Sequence, residues 1–205
     1  APKYHMRVIE IQAAGGFLKT LAEAQKQAKQ KNQLIFVDLF AEWCGWCHRM
    51  EREVFPSEPF QNATAKMVLL RLDTEDRKEG SEFARKYGVN QLPTFMVLTP
   101  DLTVAGFLKG YAPPKQFADR VTGVVKDYDA FFARTKNEAS IARDPRKRLD
   151  LAIEFENRFA YAEAEKRLVK LTNEATVPAT IRDEAYFHLA IAQLSQKKFD
   201  ESFAT

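Results

Sequence analysis

Cys44 and Cys47 are the only cysteines in the 205-residue sequence, and two residues separate them. A disulfide-stabilised scaffold needs several well-separated cysteines, and a bridge between residues this close would constrain almost none of the chain. The pair is therefore explained better by chemistry than by structural support. In a Cys-x-x-Cys arrangement the first thiolate attacks a disulfide in a second molecule, and the second thiol resolves the mixed disulfide that forms.

The sequence around the pair predicts a strand that leads into a helix. The apolar run over residues 34–40 predicts a strand buried on both faces. Cys47, Met50 and Val54 recur at helical spacing, which predicts a helix whose first turn holds both cysteines. Free backbone N–H groups and the helix dipole stabilise a thiolate at such an end. Cys44 is therefore the predicted nucleophile and Cys47 the more shielded resolving thiol.

Several side chains beside the cysteines are candidates for tuning the site or binding substrate. Gly45 and Trp46 lie between the cysteines and are expected to tune the redox potential. Trp43 and Trp46 are expected to form an apolar docking rim for substrate polypeptides, with ordinary surface aromatics as the alternative. His48 either stabilises the thiolate when protonated or is only solvated, and both interpretations stay open. Asp38 is costly inside an apolar strand unless it is paired or used.

The remaining N-terminal patterns predict an α/β domain. Residues 67–73 form a second apolar run, which we expect to lie parallel to the first strand through a right-handed crossover. Two further runs flank a Pro-containing turn and predict a hairpin over residues 94–98 and 104–108. Helices are predicted over residues 17–31, after Ser57 and over residues 81–87.

Strand patterns end near Pro113, and the rest of the chain predicts helices only. Residues 115–136 form a long amphipathic pattern, and Asp144-Pro145 is typical of another helix start. Residues 157–164 and 197–204 resemble each other at a spacing of forty residues, each with an aromatic residue at a predicted helix–turn–helix corner. The pattern is similar to a tetratricopeptide-type helical hairpin.

We predict two domains: a redox domain over residues 1–139 and an all-α, tetratricopeptide-like tail over residues 140–205. The tail stops soon after its second corner, so we expect the array to be incomplete at Thr205. The sequence starts at Ala1 without an initiator Met. We therefore expect a processed or trimmed product.

Residues 37–47 resemble the active-site strand and helix start of the thioredoxin family, and the resemblance extends over about residues 33–108. It implies a thioredoxin-like fold, with a central mixed sheet flanked by helices. Residues 88–94 resemble the family's cis-proline loop, which implies a cis bond at Leu92-Pro93 and a place for both residues in substrate binding. Asp38 matches the family's buried acid, which implies a role in proton transfer to or from Cys47.

The resemblance implies a protein thiol–disulfide oxidoreductase, either a reductase or an isomerase. Its partners would be polypeptide thiols and disulfides and an upstream redox protein, with no cofactor besides the Cys44–Cys47 disulfide. Trp46 replaces a proline and His48 a lysine of thioredoxin itself, which leaves the direction of electron flow open. Residues 50–55 are similar to bacterial periplasmic thioredoxin-like domains, so a periplasmic or secreted location is expected, with a cytoplasmic one as the alternative.

Three other functions remain as alternatives. Residues 44–48 also fit the pattern for c-type haem attachment with His48 as an iron ligand, although that motif normally lies in a small helical domain. A metal site is also open, since thiolates suit zinc or copper(I), but zinc would need four ligands, and the chain offers no second cysteine pair and only three histidines, His5, His48 and His188. The third alternative is a scaffold whose helical tail binds a protein partner.

Composition excludes several other classes of protein. The 31 basic and 28 acidic residues are mixed along the chain and leave a net charge of +3, without the basic stripe that nucleic-acid binding requires. No apolar run approaches the roughly 20 residues needed to cross a bilayer, so we expect no membrane insertion. Hydrophobic residues make up 45% of the chain, which favours a packed core over disorder.

Overall fold

The computed structural model of the chain describes residues 16–201, with side chains up to residue 197. The chain divides into two compact units, one ending at Asp127 and the other beginning at Tyr128. The predictions that concern His5 and residues 202–205 lie outside the described residues.

The first unit is built on a four-stranded mixed sheet of order β2-β1-β3-β4. β2 lies parallel to β1, whereas β3 lies antiparallel to β1, and β4 antiparallel to β3. This arrangement confirms the predicted crossover unit, hairpin and mixed sheet. The strands are β1 (Leu34–Phe40), β2 (Met67–Asp73), β3 (Thr94–Leu98) and β4 (Val104–Lys109).

Local capping explains where several helices of this unit begin. The Thr20 hydroxyl accepts a hydrogen bond from the Glu23 N–H at the start of α1, and the Ser57 hydroxyl caps α3 in the same way. A π-helical turn, Met50–Val54, directly follows α2. The α-helices of the unit are α1 (Leu21–Lys31), α2 (Gly45–Arg49), α3 (Glu58–Thr64), α4 (Glu79–Lys86) and α5 (Pro114–Lys136).

The first helix begins later than the sequence pattern predicted. The Leu18 N–H donates to the Leu69 carbonyl at 2.8 Å, and the Arg71 N–H donates to the Leu18 carbonyl at 2.9 Å. These bonds hold Leu18 alongside β2 in an extended conformation. The prediction of a helix from Phe17 was therefore wrong for the first four residues, because a long-range pairing with β2 overrides the local helical pattern.

Phenylalanine rings fill the core between the sheet and the helices. Phe36 on β1 and Phe95 on β3 lie with their ring centroids 5.7 Å apart, and Phe117 on α5 contacts Phe95 at 4.8 Å. All three rings are fully buried. This packing fixes β1, the strand that leads to the cysteines, at the centre of the unit.

The second unit is entirely helical in its described residues. Asp144 caps its first helix, accepting a hydrogen bond from the Lys147 N–H at 3.1 Å, as the sequence predicted. Its helices are α6 (Pro145–Asn157), α7 (Tyr161–Asn173) and α8 (Ala179–Glu201), after a short 3-10 turn at Glu138–Ile141. Its buried core comprises Phe131, Leu149, Leu151, Ala152, Phe155, Ala164, Leu168, Leu171, Val177, Ala185 and Ala192. Over residues 16–201, no helix combines the length and the apolar character that crossing a membrane requires.

The division between the units lies within α5, earlier than the boundary expected near Ala139. Phe131, near the C-terminal end of α5, belongs to the core of the helical unit. The helical pattern over residues 115–136 is uninterrupted, so the sequence alone does not reveal that the two ends of this helix pack into different cores.

Only the first of the two predicted helical corners is present in the described residues. α6 ends at Asn157 and α7 begins at Tyr161, with Phe159 between them at φ 59°. The predicted corner at residues 197–201 is instead helical, because α8 continues to Glu201 and contains no Gly or Pro that would end it. A tetratricopeptide relationship for the tail stays a prediction.

Candidate functional site

Cys44 and Cys47 form a disulfide with an Sγ–Sγ distance of 2.07 Å. Cys44 is the N-cap residue of α2, and its Sγ accepts a hydrogen bond from the Cys47 N–H at 3.1 Å. The sulfur therefore occupies the place that a capping oxygen takes at other helix starts. Both residues are buried, Cys44 at 3% exposure and Cys47 at 1%, so the predicted difference in shielding is small in this oxidised state.

Pro93 is held at the end of β1 that leads to the cysteines. The Leu92-Pro93 peptide bond is cis. Thr94, the next residue, pairs with Leu39 near the C-terminal end of β1. The Pro93 carbonyl accepts a hydrogen bond from the Gly110 N–H at 2.9 Å. Pro93 is buried and Leu92 half-buried, so Leu92 is the more accessible of these two predicted substrate-binding residues.

Asp38 is buried in β1 beside one cation. The strand register pairs it with Arg71, whose Nε lies 3.2 Å from Asp38 Oδ2. Arg71 Nε donates no hydrogen bond to any described residue, and Asp38 Oδ1 accepts none, so the contact is electrostatic. Burial raises the pKa of Asp38 to about 7, against a lowering by Arg71 and a further rise from Glu51.

Arg71 connects Asp38 to a second carboxylate. Its Nη1 donates to Glu51 Oε1 at 2.8 Å, and its guanidinium lies 4.0 Å from the centroid of the Phe40 ring. Burial raises the pKa of Glu51, but hydrogen bonding and charge from Arg71, together with those from His48, outweigh it and leave the pKa below its ordinary value. The residues near the cysteine motif in sequence give no sign of a role for Arg71. The β1–β2 register is the signal that could have identified it.

The His48 ring contacts protein atoms on both sides. Its Nε2 lies 2.7 Å from the Glu42 carbonyl, which can only accept, so Nε2 carries the proton. Its Nδ1 lies 3.7 Å from Glu51 Oε2. The ring is therefore more than solvated, while the predicted stabilisation of a Cys44 thiolate stays a prediction.

Trp43 and Trp46 are both exposed, at 68% and 54%, as a docking rim requires. Trp43 Nε1 donates to Glu75 Oε1 at 2.7 Å, so this ring is tethered by a residue to which the sequence interpretation assigned no role. Gly45 is exposed, and a Cβ added there would meet no atom within 4 Å. A side chain at position 45 would therefore fit without a clash, so the predicted influence of Gly45 on the redox potential does not arise from steric restriction.

A cavity of about 570 Å³ opens beside these charged groups. Phe40, His48, Glu51 and Arg71 contribute to its lining. It therefore gives solvent a route to Arg71 and Glu51, the two charged groups that influence the pKa of Asp38. Across the described ranges, no group of three or more His, Cys, Asp or Glu side chains is arranged to hold a metal ion.

Comparison with known proteins identifies the family. Residues 21–123, half of the chain, match the family model described as a thioredoxin-like domain. The chain belongs to this family. The thioredoxin-like fold predicted from residues 37–47 is thereby confirmed for the first unit. The motif lies in a thioredoxin-like domain and not in the small helical domain typical of c-type haem attachment, which favours thiol exchange.

Individual relatives match part of the thioredoxin-like chain. It is 31% identical over 121 residues to the thiol:disulfide interchange protein DsbD of Pseudomonas fluorescens, covering 57% of this chain and 19% of that protein. It is 40% identical over 67 residues to thioredoxin 1 of Plasmodium falciparum, covering 33% of this chain and 59% of that protein. A solution structure of thioredoxin from Thermus thermophilus aligns with a TM-score of 0.48 at 26% identity, covering 52% of this chain and 85% of that one.

Proposed function

We propose that this thioredoxin-like chain is a protein thiol–disulfide oxidoreductase whose exchange centre is the Cys44–Cys47 pair. The observation that carries the proposal is the disulfide at the start of α2, with the Cys47 N–H directed at Cys44 Sγ at 3.1 Å. In the reduced state this N–H stabilises a thiolate on Cys44, because a charged acceptor strengthens the hydrogen bond. Relatives named as thiol:disulfide interchange proteins support the same activity.

In the reducing direction, the Cys44 thiolate attacks one sulfur of a partner disulfide. That disulfide breaks, a mixed disulfide forms, and the other partner sulfur leaves as a thiolate and takes up a proton. The Cys47 thiol then loses its proton and attacks Cys44 Sγ. The Cys44–Cys47 disulfide forms, and the second partner sulfur leaves and is protonated. Two electrons have moved to the partner, and an upstream dithiol protein returns the chain to its reduced form.

Asp38 is our candidate for the group that accepts the Cys47 proton. A carboxyl whose pKa is about 7 can take up and return a proton at neutral pH, unlike an ordinary aspartate. The contact with Arg71 and the nearby Glu51 keep this pKa within reach of neutrality, since one lowers it and the other raises it.

We propose a location in the periplasm or outside the cell, where an oxidising environment supplies polypeptide disulfides as substrates. The named interchange proteins among its relatives fit this placement. The chain spans about a fifth of the length of the Pseudomonas fluorescens relative, so the partners of that whole protein are not transferred here. Cell fractionation of the native organism, with detection of this chain, checks the compartment.

Insulin reduction tests the catalytic proposal. The wild-type protein is expected to accelerate the reduction of insulin by dithiothreitol, followed as turbidity, because Cys44 exchanges faster than the small thiol. Cys44→Ser removes the attacking sulfur and is expected to abolish the acceleration. A wild-type rate no higher than that of Cys44→Ser would contradict the proposal.

A trapping variant identifies the substrates. Cys47→Ser leaves the attacking thiolate and removes the resolving thiol, so mixed disulfides with partner polypeptides are expected to accumulate. The double variant Cys44→Ser/Cys47→Ser is the matched control. Non-reducing gels followed by mass spectrometry identify the partners, and bands of equal intensity in the control would show that Cys44 does not form them.

A further inference from the structure

Trp46 is held in place by a residue far from the cysteine motif. Its ring centroid lies 5.5 Å from that of Tyr111, in the segment between β4 and α5. More than half of the Trp46 surface nevertheless remains exposed. One face of the indole is therefore supported by protein while the rest is free to contact another molecule.

Arg49 and Glu53 complete the support around Trp46. The Arg49 guanidinium lies 4.4 Å from the Tyr111 ring centroid and 5.5 Å from that of Trp46. Arg49 Nε donates to both Glu53 carboxylate oxygens, at 2.9 and 3.1 Å, and the Tyr111 hydroxyl donates to Glu53 Oε2 at 2.6 Å. Two aromatic rings, one cation and one carboxylate thus form a closed set of contacts, which we call the Trp46 support.

The charges of this set are mutually stabilised. The hydrogen bond from Tyr111 lowers the pKa of Glu53, and the same bond raises the pKa of the Tyr111 phenol. At neutral pH the carboxylate is therefore ionised and the phenol protonated, which is the combination that keeps the hydrogen bond. Arg49 lies in α2 and Glu53 in the π-helical turn after it, whereas Tyr111 lies in the segment after β4. The contacts therefore fix the indole relative to the sheet as well as to its own helix.

An indole that is already held has an advantage in binding. A free surface side chain loses rotational freedom when a partner covers it, and this loss weakens binding. The Trp46 support removes much of that freedom in advance. Trp46 stands between the two cysteines in sequence and is exposed, so its ring is available to a polypeptide that presents a disulfide to Cys44.

We propose that Tyr111 is a positioning residue that holds Trp46 as a preformed docking surface for polypeptide disulfides. The inference rests on the proposed function and names its substrate class. A small disulfide covers too little surface to gain from a fixed indole, because aromatic contacts contribute through the area they bury. Tyr111 therefore separates polypeptide disulfides from low-molecular-weight ones.

Turnover of two substrates tests this inference on the full chain. Insulin is the polypeptide disulfide and bis(2-hydroxyethyl) disulfide is the small one, each reduced at varied concentration. Tyr111→Ala is expected to raise KM for insulin about 2- to 10-fold, with kcat unchanged, since it removes one aromatic contact. The kcat/KM for the small disulfide is expected to stay at the wild-type value.

Three further variants make the result specific. Tyr111→Phe keeps the ring contact and is expected to restore most of the wild-type KM for insulin. Glu53→Gln weakens the contacts of Glu53 with both Tyr111 and Arg49 without altering either ring, and is expected to raise the same KM by less than Tyr111→Ala does. Phe187→Ala removes an aromatic side chain that is 64% exposed on α8 and is expected to change neither substrate's kinetics.

The outcomes distinguish this inference from the proposed function. If the wild type reduces both substrates and Tyr111→Ala changes neither KM, or lowers turnover of both equally, the positioning role is overturned while the oxidoreductase remains. If the wild type reduces neither substrate, the proposed function fails, and this inference fails with it.

Discussion

Asp38 is a buried carboxyl whose ionisation is costly and which we propose as the proton acceptor for Cys47. Its carboxyl is 1% exposed, and its near neighbour Arg71 offers charge without a well-directed hydrogen bond. An ionised carboxylate in such a place is poorly solvated, so near neutral pH the folded protein holds a much larger protonated fraction of Asp38 than an ordinary aspartate would have. The proposed proton exchange with Cys47 depends on the same raised pKa, which is about 7.

This property predicts how stability depends on pH. The pKa of Asp38 is about 7 in the folded protein against 3.8 ordinarily, so between these values the folded protein binds more protons than the unfolded chain. Its contribution to the free energy of unfolding is complete below about pH 4 and is lost as the pH rises through about 7. Asp38→Asn removes this dependence. The free energy of unfolding of the variant, minus that of the wild type, is therefore expected to rise by on the order of a few kcal/mol from pH 5 to pH 8.

Urea unfolding of the oxidised proteins at both pH values measures the difference. Comparing the variant with the wild type cancels the contributions of the other titrating groups. A difference in free energy of unfolding that is the same at pH 5 and pH 8 would mean that the pKa of Asp38 is close to that of an ordinary aspartate in the folded protein.

Among the elements, the approach of α4 to the end of β2 requires a glycine. A Cβ on Gly80 would lie 1.9 Å from the Asp73 carbonyl oxygen, a backbone atom that cannot rotate away. Gly80→Ala is therefore expected to destabilise the protein by about 1–3 kcal/mol. Gly123→Ala is the matched control. It lies within α5 with no atom within 4 Å of the added Cβ, and it is expected to stabilise by about 0.5–1 kcal/mol.

Thermal unfolding of the two glycine variants checks the signs of the predicted stability changes. The physical reason for opposite signs is that both changes improve helix propensity, while only Gly80 is pressed against another backbone. Equal shifts in midpoint for the two variants would show that α4 can move away from β2 without cost.

The strands could be predicted from the sequence because their apolar runs are long and bounded by polar residues. β1 and β2 have the predicted bounds, and their parallel pairing follows from the crossover rule. The start of α1 was not readable, because Leu18 pairs with a strand about fifty residues away in sequence. Local periodicity contains no information about such pairings.

Within the candidate site, the role of the cysteines could be predicted from the sequence, whereas the roles of their charged neighbours could not. The spacing of Cys44 and Cys47 carries their chemistry directly. Arg71 acquires its importance only from the register that sets it opposite Asp38. Glu75 matters through a hydrogen bond to Trp43, 32 residues earlier in the chain. Such contacts depend on the assembled fold, so the types and spacing of nearby residues do not predict them.

Considered as a whole molecule, the chain builds two cores from separate sets of residues. The phenylalanine rings of the first unit come from β1, β3 and the N-terminal part of α5, whereas Phe131 near the other end of α5 joins the helical core. Both tryptophans of the sequence lie in the first unit, at positions 43 and 46. Tryptophan fluorescence therefore reports on the first unit, while far-ultraviolet circular dichroism reports on both.

This separation predicts that a core change in one unit leaves the unfolding of the other unaffected. Leu168 is fully buried in the helical core, so Leu168→Ala is expected to cost about 2–5 kcal/mol there. In urea, the dichroism transition is expected to shift to lower concentration while the fluorescence midpoint stays at its wild-type value. Leu70→Ala, an equally buried change on β2, is the reciprocal control and should move the fluorescence midpoint. If Leu168→Ala moves both signals together, the two units unfold as one cooperative body, since additive effects require independent sites.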